Sequence, residues 1–232
     1  MSLIKKLFAP IPGNEGNFLS INKLYYTIEV GICVVSFIII TFLPVSWISK
    51  AIIYVCLLAL YKFFLFNLAN FIFGDIGEKK VREILDQIQD IGVINDIQLP
   101  ANKGNIDHIV FTHSGLFCIE TKWKRPCKCY AYKREWYCNG KKLPKSPSSQ
   151  VWSNTQLIKS FLLDNGIPKY IVLPGLVVLV GKIELVKKYE PLQIVNLRDL
   201  QKLIINIKND IGNIDKNMVN RAYKLLKRYS HN

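Results

Sequence analysis

Two long apolar stretches near the N-terminus constrain the fold of this chain more than any other feature. Residues 24–45 are long enough to cross a bilayer, and residues 48–73 are long enough again, with Pro44 in the short connection between them. The charged residues within 24–73 are Glu29, Lys50 and Lys62. The sequence therefore predicts a membrane-inserted helical hairpin.

Lys62 leaves the depth of this hairpin open. It falls near the middle of the second stretch, where an isolated lysine costs roughly 2.5–3.5 kcal/mol on insertion scales. The hairpin therefore either spans the membrane or dips into it without crossing. A buried hairpin of a soluble protein is disfavoured because residues 30–40 lack a polar face. A cleaved signal peptide is disfavoured because no small-residue cleavage site follows.

The charges beside the apolar stretches predict the orientation. Basic residues flank the hairpin on both sides, whereas the connection contains only Lys50, and basic residues favour the cytoplasm. We therefore expect an integral plasma-membrane protein with both termini, and the rest of the chain, on the cytoplasmic side. In that reducing compartment the six cysteines should remain thiols. The flanking basic residues are Lys5, Lys6, Lys23, Lys79, Lys80 and Arg82.

Composition divides the chain into three parts. We expect a cytoplasmic segment over residues 1–22, the membrane hairpin over 23–73, and a domain of ordinary globular composition over 74–232. Hydrophobic spacing in this domain predicts an α/β fold, with a mixed central β-sheet flanked by helices. The predicted helices are 75–89, 150–163, 197–207 and 218–229, and the predicted strands are 93–97, two within 105–122, a hairpin over 129–138, and 171–180.

Two carboxylates interrupt the apolar strands within residues 105–122. If residues 112–115 connect the strands, Phe111 lies opposite Leu116, and Asp107 then lies opposite Glu120 on the same face of the sheet. Two carboxylates about 5 Å apart would repel each other unless a cation lay between them. Hard oxygen ligands suit Mg²⁺, with Mn²⁺ as the alternative. Lys122 would point to the same place.

Glu78 is a fourth candidate residue. It shares one helical stripe with Val81, Leu85 and Ile88, which should face the sheet. A carboxylate on such a stripe needs a partner. The alternative is that Glu78 only adds negative charge to the first helical turn, where the helix dipole favours it.

The order of these blocks resembles a known family. Gly77-Glu78 opens a helix, Asp107 lies in a strand between Ile106 and His108, and Glu120-Thr121-Lys122 follows in the next strand. Together with a Pro-x-x-Gln that ends at Gln150, this pattern resembles the nuclease-related domain (NERD), a branch of the PD-(D/E)XK nuclease superfamily. The resemblance covers roughly residues 74–180 and implies a restriction-endonuclease-like core.

The resemblance implies a role for each matching residue. Asp107 and Glu120 would hold the metal, and Glu78 would complete its coordination directly or through water. Lys122 would orient or deprotonate the attacking water, and Gln150 would position the lysine or a phosphate. The implied reaction is the hydrolysis of phosphodiester bonds in nucleic acid, with DNA favoured over RNA and no small-molecule cofactor.

A basic, aromatic-rich stretch follows the proposed catalytic lysine. Residues 122–145 contain nine lysines and arginines and a single acid, Glu135. Basic groups could follow phosphates, and aromatic rings could stack on bases. The alternatives are a solvated hairpin whose rings cover the core, and attraction to anionic lipid headgroups. The candidate nucleic-acid ligands are Lys124, Arg125, Lys128, Lys133 and Arg134, and the interleaved rings are Trp123, Tyr130, Tyr132, Trp136 and Tyr137.

Three functional hypotheses remain open: a membrane-anchored metal-dependent nuclease, a non-catalytic module that binds nucleic acid or anionic lipid, and a membrane scaffold for a protein partner. His108 and His113 are interpreted as structural. The three clustered cysteines, Cys127, Cys129 and Cys138, are a weak zinc signal, and a hairpin that happens to contain them is favoured.

Overall fold

The computed structural model describes residues 18–100, 104–123, 126–132, 134–189, 192–209 and 214–230. The chain divides into two compact units, residues 1–75 and residues 76–232. Each unit is described separately below.

The first unit contains one long apolar helix and most of a second. Helix α1 (Phe18–Phe42) and helix α2 (Trp47–Leu85) are joined by the connection that contains Pro44. The ring of Phe37 stacks on that of Tyr54, with 5.1 Å between centroids. Both helices are long and apolar enough to cross a membrane, judged by length and composition alone. The predicted helical pair is confirmed, and its insertion into a bilayer remains a prediction.

Helix α2 does not end where the apolar stretch ends. The sequence predicts a break near residue 74 and a new helix over 75–89, whereas the structure has one helix from Trp47 to Leu85. Gly74 and Gly77 cost only about 1 kcal/mol each relative to alanine in a helix, and no proline lies in the helix to end it. Glu78 therefore lies in the last third of a long helix and not in a first turn, which removes the helix-dipole alternative for this residue.

The second unit contains nine strands and three further helices among its described residues. The strands are β1 (Gly92–Ile97), β2 (Ile106–Thr112), β3 (Gly115–Trp123), β4 (Cys127–Tyr132), β5 (Glu135–Cys138), β6 (Lys141–Lys142), β7 (Leu176–Val180), β8 (Ile183–Tyr189) and β9 (Gln193–Asn196). The helices are α3 (Pro147–Asp164), α4 (Leu197–Asn209) and α5 (Lys216–Lys227).

The strands form two mixed sheets. The first sheet has the order β1-β2-β3-β7-β9, in which β1, β2 and β3 are antiparallel and β3, β7 and β9 are parallel. The second has the order β6-β5-β4-β8, with β4 parallel to β8. The predicted mixed α/β class is confirmed, with two sheets where the sequence indicates one.

Both faces of the five-stranded sheet are buried. Alternate residues of each strand enter separate hydrophobic clusters, so Ile109 and Leu116 lie in one cluster and Val110 and Phe117 in the other. The first cluster also contains residues of α3 and α5, and the second contains residues of α2 and α4. The five-stranded sheet is therefore flanked by helices on both faces, as its hydrophobic strands predict.

One predicted strand differs in the structure, and other strands were not predicted. The strand predicted over 171–180 begins only at Leu176, because Pro174 and Gly175 interrupt it and Ile171 ends a short 3₁₀ helix. Strands β8 and β9 were not predicted from the sequence. The hairpin predicted over 129–138 is confirmed as β4 and β5, with Cys129 opposite Cys138.

Cys129 and Cys138 form a disulfide in the structure, whereas the sequence predicts thiols. The two residues are directly opposite on antiparallel strands with Cα atoms 4.5 Å apart, within the range that a disulfide can bridge.

The C-terminal residues contact one edge of the five-stranded sheet. Strand β1 lies at that edge, and Ser230 forms an antiparallel bridge with Ile97. The backbone N–H of Gln98 also donates to the carbonyl oxygen of Tyr229, at 3.1 Å.

Candidate active site

The β2–β3 hairpin has the register that the sequence predicts. Phe111 pairs with Leu116 and His108 pairs with Ile119, so the next step along the ladder brings Asp107 opposite Glu120. The connection is shorter than expected, since Thr112 already pairs with Gly115. Gly115 has a φ of 128°, and a Cβ there would lie 2.4 Å from the carbonyl oxygen of Ile171.

Asp107 is bound by the strand beside it. The backbone N–H of Thr121 donates to Oδ2 of Asp107 at 2.7 Å. This bond fixes one carboxylate oxygen of Asp107 against the strand that carries Glu120 and Lys122. Thr121 was not singled out from the sequence, because a contribution through the backbone leaves no signal in residue type.

Glu120 and Lys122 form an ion pair within the site. Nζ of Lys122 lies 2.6 Å from Oε1 of Glu120, and the side chain of Glu120 is only 4% exposed. Burial acts to lower the pKa of Lys122, but the charges of Glu120, Asp107 and Glu78 together raise it. Lys122 is therefore held as an ammonium group beside the carboxylates.

Asp107 has the most perturbed carboxyl group of the site. Burial raises its pKa well above the usual range, and the negative charges of Glu120 and Glu78 raise it further. Lys122 and the Thr121 N–H act in the opposite direction. Because Glu78 affects both Asp107 and Lys122, the four predicted charged residues lie within electrostatic reach of one another.

Gly77 brings helix α2 close to the end of β3. A Cβ at this position would lie 3.3 Å from Cβ of Trp123 and 3.5 Å from Cγ2 of Thr121. A larger side chain would push the helix away, and Glu78 with it. The Gly-Glu pair was noted as part of the family pattern, and the structure supplies a packing reason for the glycine.

Two of the predicted site residues, Gln150 and Arg134, line an open groove of about 520 Å³. Gln150 lines it from the first turn of α3, and Asn105, two residues before Asp107 in sequence, is also among the lining residues. Oε1 of Gln150 is buried and has no hydrogen-bond partner among the described residues. The basic side chains that line the groove are Arg134, Lys142 and Lys145.

Of the five residues predicted to bind nucleic acid, the structure describes Arg134 and Lys128. Arg134 lines the groove, and its guanidinium lies 4.4 Å from the centre of the Trp152 ring. Lys128 is exposed and lies 3.6 Å from Glu184. Lys124, Arg125 and Lys133 fall outside the described residues.

The aromatic residues of the hairpin divide between two environments. Tyr130 and Tyr132 are exposed, and the ring of Tyr130 stacks on that of Tyr137. Trp136, for which the sequence leaves base stacking and packing on the core open, is only 1% exposed, and its Nε1–H donates to Oγ of Ser148 at 2.7 Å. Packing on the core is therefore the environment observed for this ring, because alternate residues of β5 face the hydrophobic core. Trp123 is partly buried against the core.

Comparison with known proteins gives one match. Residues 73–180 match the family model of the nuclease-related domain. No curated protein and no solved structure matches the chain.

Proposed function

Residues 73–180 form a nuclease-related domain of the PD-(D/E)XK superfamily, and on that premise we propose that the protein is a membrane-anchored, metal-dependent nuclease. One observation carries the proposal: Asp107, Glu120, Lys122 and Glu78 interact electrostatically with one another. The fifth candidate residue, Gln150, lines a basic groove. Two acidic groups that raise the pKa of Asp107 are costly in a structural core, and a bound cation would offset that cost.

The donor atoms fit a hard cation. Asp107, Glu120 and Glu78 offer only carboxylate oxygens, which suit Mg²⁺ or Mn²⁺ better than softer metals. Oδ2 of Asp107 already accepts the Thr121 N–H, so this carboxylate is held in place before any ligand arrives. When bound, the metal would polarise the scissile phosphoryl group and neutralise the charge that develops on it.

Residues of the chain itself would orient the attacking water and the phosphate. Lys122 is half-buried and bound to Glu120, so its ammonium has a fixed position from which to orient the attacking water. Oxygen from that water bonds to phosphorus while the P–O bond to the leaving strand breaks; the water gives its proton to solvent, and the leaving oxygen takes one from solvent. Oε1 of Gln150 is a buried acceptor in need of a donor and would accept from the Lys122 ammonium, or the Nε2–H of the same side chain would donate to a phosphate.

The groove is our proposed path for the nucleic-acid backbone. Arg134, Lys142 and Lys145 would contact phosphates, and exposed Tyr130 and Tyr132 offer rings on which bases can stack. Glu135 partly offsets this charge, because its Oε1 lies 2.5 Å from Nζ of Lys142. DNA is expected to be a better substrate than RNA.

The test is cleavage of DNA and RNA by the purified full chain over a Mg²⁺ and Mn²⁺ titration. Glu120→Gln and Lys122→Met should each lower the rate at least about 100-fold, because one removes a metal ligand and the other the group that orients water. Glu184→Gln, an exposed carboxylate on β8, is the matched control and should cleave like the parent. Nucleic-acid binding without metal-dependent cleavage in the parent would favour the non-catalytic module instead.

Membrane topology needs a separate test. We propose that the hairpin spans the plasma membrane with the nuclease domain in the cytoplasm. Labelling of Ser46→Cys from outside intact cells would support spanning, and labelling of Lys79→Cys from that side would contradict the orientation. An unlabelled Ser46→Cys would indicate a hairpin that enters the membrane without crossing it.

A further inference from the structure

Three sulfur atoms meet at the base of the β4–β5 hairpin, on residues that the proposed nuclease reaction does not use. They belong to Cys127, Cys129 and Cys138, and all three lie within 4.8 Å of one another. Sγ of Cys127 lies 2.9 Å from Sγ of Cys138 and 3.4 Å from Sγ of Cys129. The cluster therefore involves all three residues.

The strand register explains why the sulfurs converge. Cys127 and Cys129 are two residues apart on β4, so their side chains share a face, and Cys138 lies directly opposite Cys129 on β5. Backbone bonds hold this end of the hairpin: the Asn139 N–H donates to the carbonyl oxygen of Lys128, and the Lys128 N–H donates to Oδ1 of Asn139. The sulfurs are thus brought together by regular structure.

The disulfide between Cys129 and Cys138 does not account for the third sulfur. A cross-strand disulfide needs two cysteines, and Cys127 could be any small residue if packing were its only task. Cys129 is almost fully buried, whereas Cys127 and Cys138 are half-buried. The cluster is therefore closed on its inner side and approachable from solvent on its outer side.

We propose that the reduced cluster is a metal site that binds zinc through the three thiolates. A thiol or phosphine reductant supplies two electrons, and with two protons the disulfide becomes two thiols. The three thiols then lose three protons as three sulfur–zinc bonds form. No histidine or carboxylate joins this group among the described residues, so the fourth position is left to water.

The site would differ in chemistry from the carboxylate site. Soft thiolates select zinc, whereas the carboxylate oxygens of Asp107, Glu120 and Glu78 suit magnesium. One domain could thus hold two different ions without exchange between them. Exposed Lys128 lies between Cys127 and Cys129 in sequence, and the carbonyl oxygen of exposed Lys182 accepts the Cys127 N–H at 3.3 Å. Both lysines would offset the net negative charge of a three-thiolate zinc centre.

The test uses the full chain in detergent, reduced with a phosphine and dialysed against zinc. We expect about one zinc ion per chain that resists a weak chelator, and a thiolate-to-metal charge-transfer band when Co²⁺ replaces zinc. Cys127→Ser should lose both signals although the disulfide-forming pair is intact. Cys56→Ala, on an exposed cysteine of α2, is the matched control and should keep them.

A second measurement needs no variant. Zinc should protect Cys127, Cys129 and Cys138 of the reduced parent from alkylation, mapped by mass spectrometry, while Cys56 reacts at an unchanged rate. Equal zinc content in the parent and Cys127→Ser, or alkylation of the three residues that ignores zinc, would overturn the proposal. Neither result depends on nuclease activity, so the zinc-site proposal and the nuclease proposal are tested independently.

Discussion

The two sheets of the second unit differ in how far their side chains are buried. Strands β2, β3 and β7 are buried along almost their whole length, because helices cover both faces of the five-stranded sheet. In the four-stranded sheet, β4 alternates between buried and exposed residues, so one face meets solvent. A charged side chain in the first sheet loses its hydration when the protein folds, whereas one on the outer face of the second sheet stays hydrated.

This difference decides how charged residues should be interpreted. Asp107 and Glu120 interrupt strands that are otherwise apolar, and a buried carboxylate costs free energy unless a partner offsets it. Lys128 and Glu184 lie on the outer surface, where an ion pair contributes little. The two acidic residues in the buried sheet are therefore stronger evidence for a functional site than the nine basic residues of 122–145.

The largest effect on stability is expected from the inner face of the four-stranded sheet. Trp136→Ala should lower the free energy of unfolding by about 3–5 kcal/mol, because it empties a core position and leaves Ser148 without its indole partner. Urea unfolding of the full chain in detergent, followed by circular dichroism, measures the change. Tyr132→Ala, on the outer face, should cost less than about 0.5 kcal/mol. Equal losses would refute the two-face description.

The next effect concerns a buried histidine in the five-stranded sheet. Burial, with a smaller contribution from Arg82, lowers the pKa of His108 from 6.5 to about 3, while Nδ1 contacts Oδ1 of Asn95 at 2.7 Å. The unfolded chain binds a proton below pH 6.5 and the folded chain does not, so stability falls with acidification. Between pH 6.5 and pH 5 the loss from this group should be about 2 kcal/mol.

Replacement of His108 isolates that contribution. His108→Gln should flatten the dependence of unfolding free energy on pH over this interval, whatever its effect on absolute stability. His113→Gln, in the exposed turn, should leave the slope as it is in the parent. A parental slope in His108→Gln would mean that other groups bind the proton.

A smaller effect, of opposite sign, is expected at the proposed metal site. Burial and the charges of Glu120 and Glu78 raise the pKa of Asp107, so its ionised form weakens the metal-free fold increasingly as pH rises above 3.8. Asp107→Asn should raise the unfolding free energy at pH 7 by about 1 kcal/mol in a chelator, while abolishing cleavage. Glu184→Gln should change neither quantity. A destabilised Asp107→Asn would argue against electrostatic repulsion at the site.

The smallest effect is expected on the outer face of the four-stranded sheet. Lys128→Gln should change the unfolding free energy by at most about 0.5 kcal/mol, because its ion pair with Glu184 is exposed. If Lys128 contacts a phosphate, the same variant should lower the logarithmic salt slope of nucleic-acid binding by about 0.7–0.9. Fluorescence anisotropy over a range of salt concentrations measures this, and an unchanged slope would remove Lys128 from the nucleic-acid surface.

The arrangement of β2 and β3 could be predicted because local rules determine it. Alternation along each strand and the turn before Gly115 set the register, and the pairing of Phe111 with Leu116 follows. The opposition of Asp107 and Glu120 needs no information from the rest of the chain. The interior face of α2 was also predicted correctly from spacing, since Val81 and Leu85 are buried.

The remaining features depend on residues that are distant in sequence. The groove brings Asn105, Arg134 and Gln150 together, and no local pattern indicates that they share a cavity. Strand β8 pairs with β4 across more than fifty residues, and its sequence contains both polar and apolar residues. For Trp136 the sequence left two environments open, because the basic neighbourhood indicates an exposed strand whereas alternation with Tyr137 allows one ring to cover the core.

The bridge between Ser230 and Ile97 has a consequence for self-association. An edge strand with unpaired N–H and C=O groups is a template on which a second chain can add a strand. Here the N–H of Gln98 is taken by Tyr229, and Ser230 pairs beside it, so the end of β1 is shielded from another copy. If the protein is anchored in a membrane as we propose, its copies meet often in two dimensions, and such shielding would help to keep neighbouring domains from forming continuous sheets.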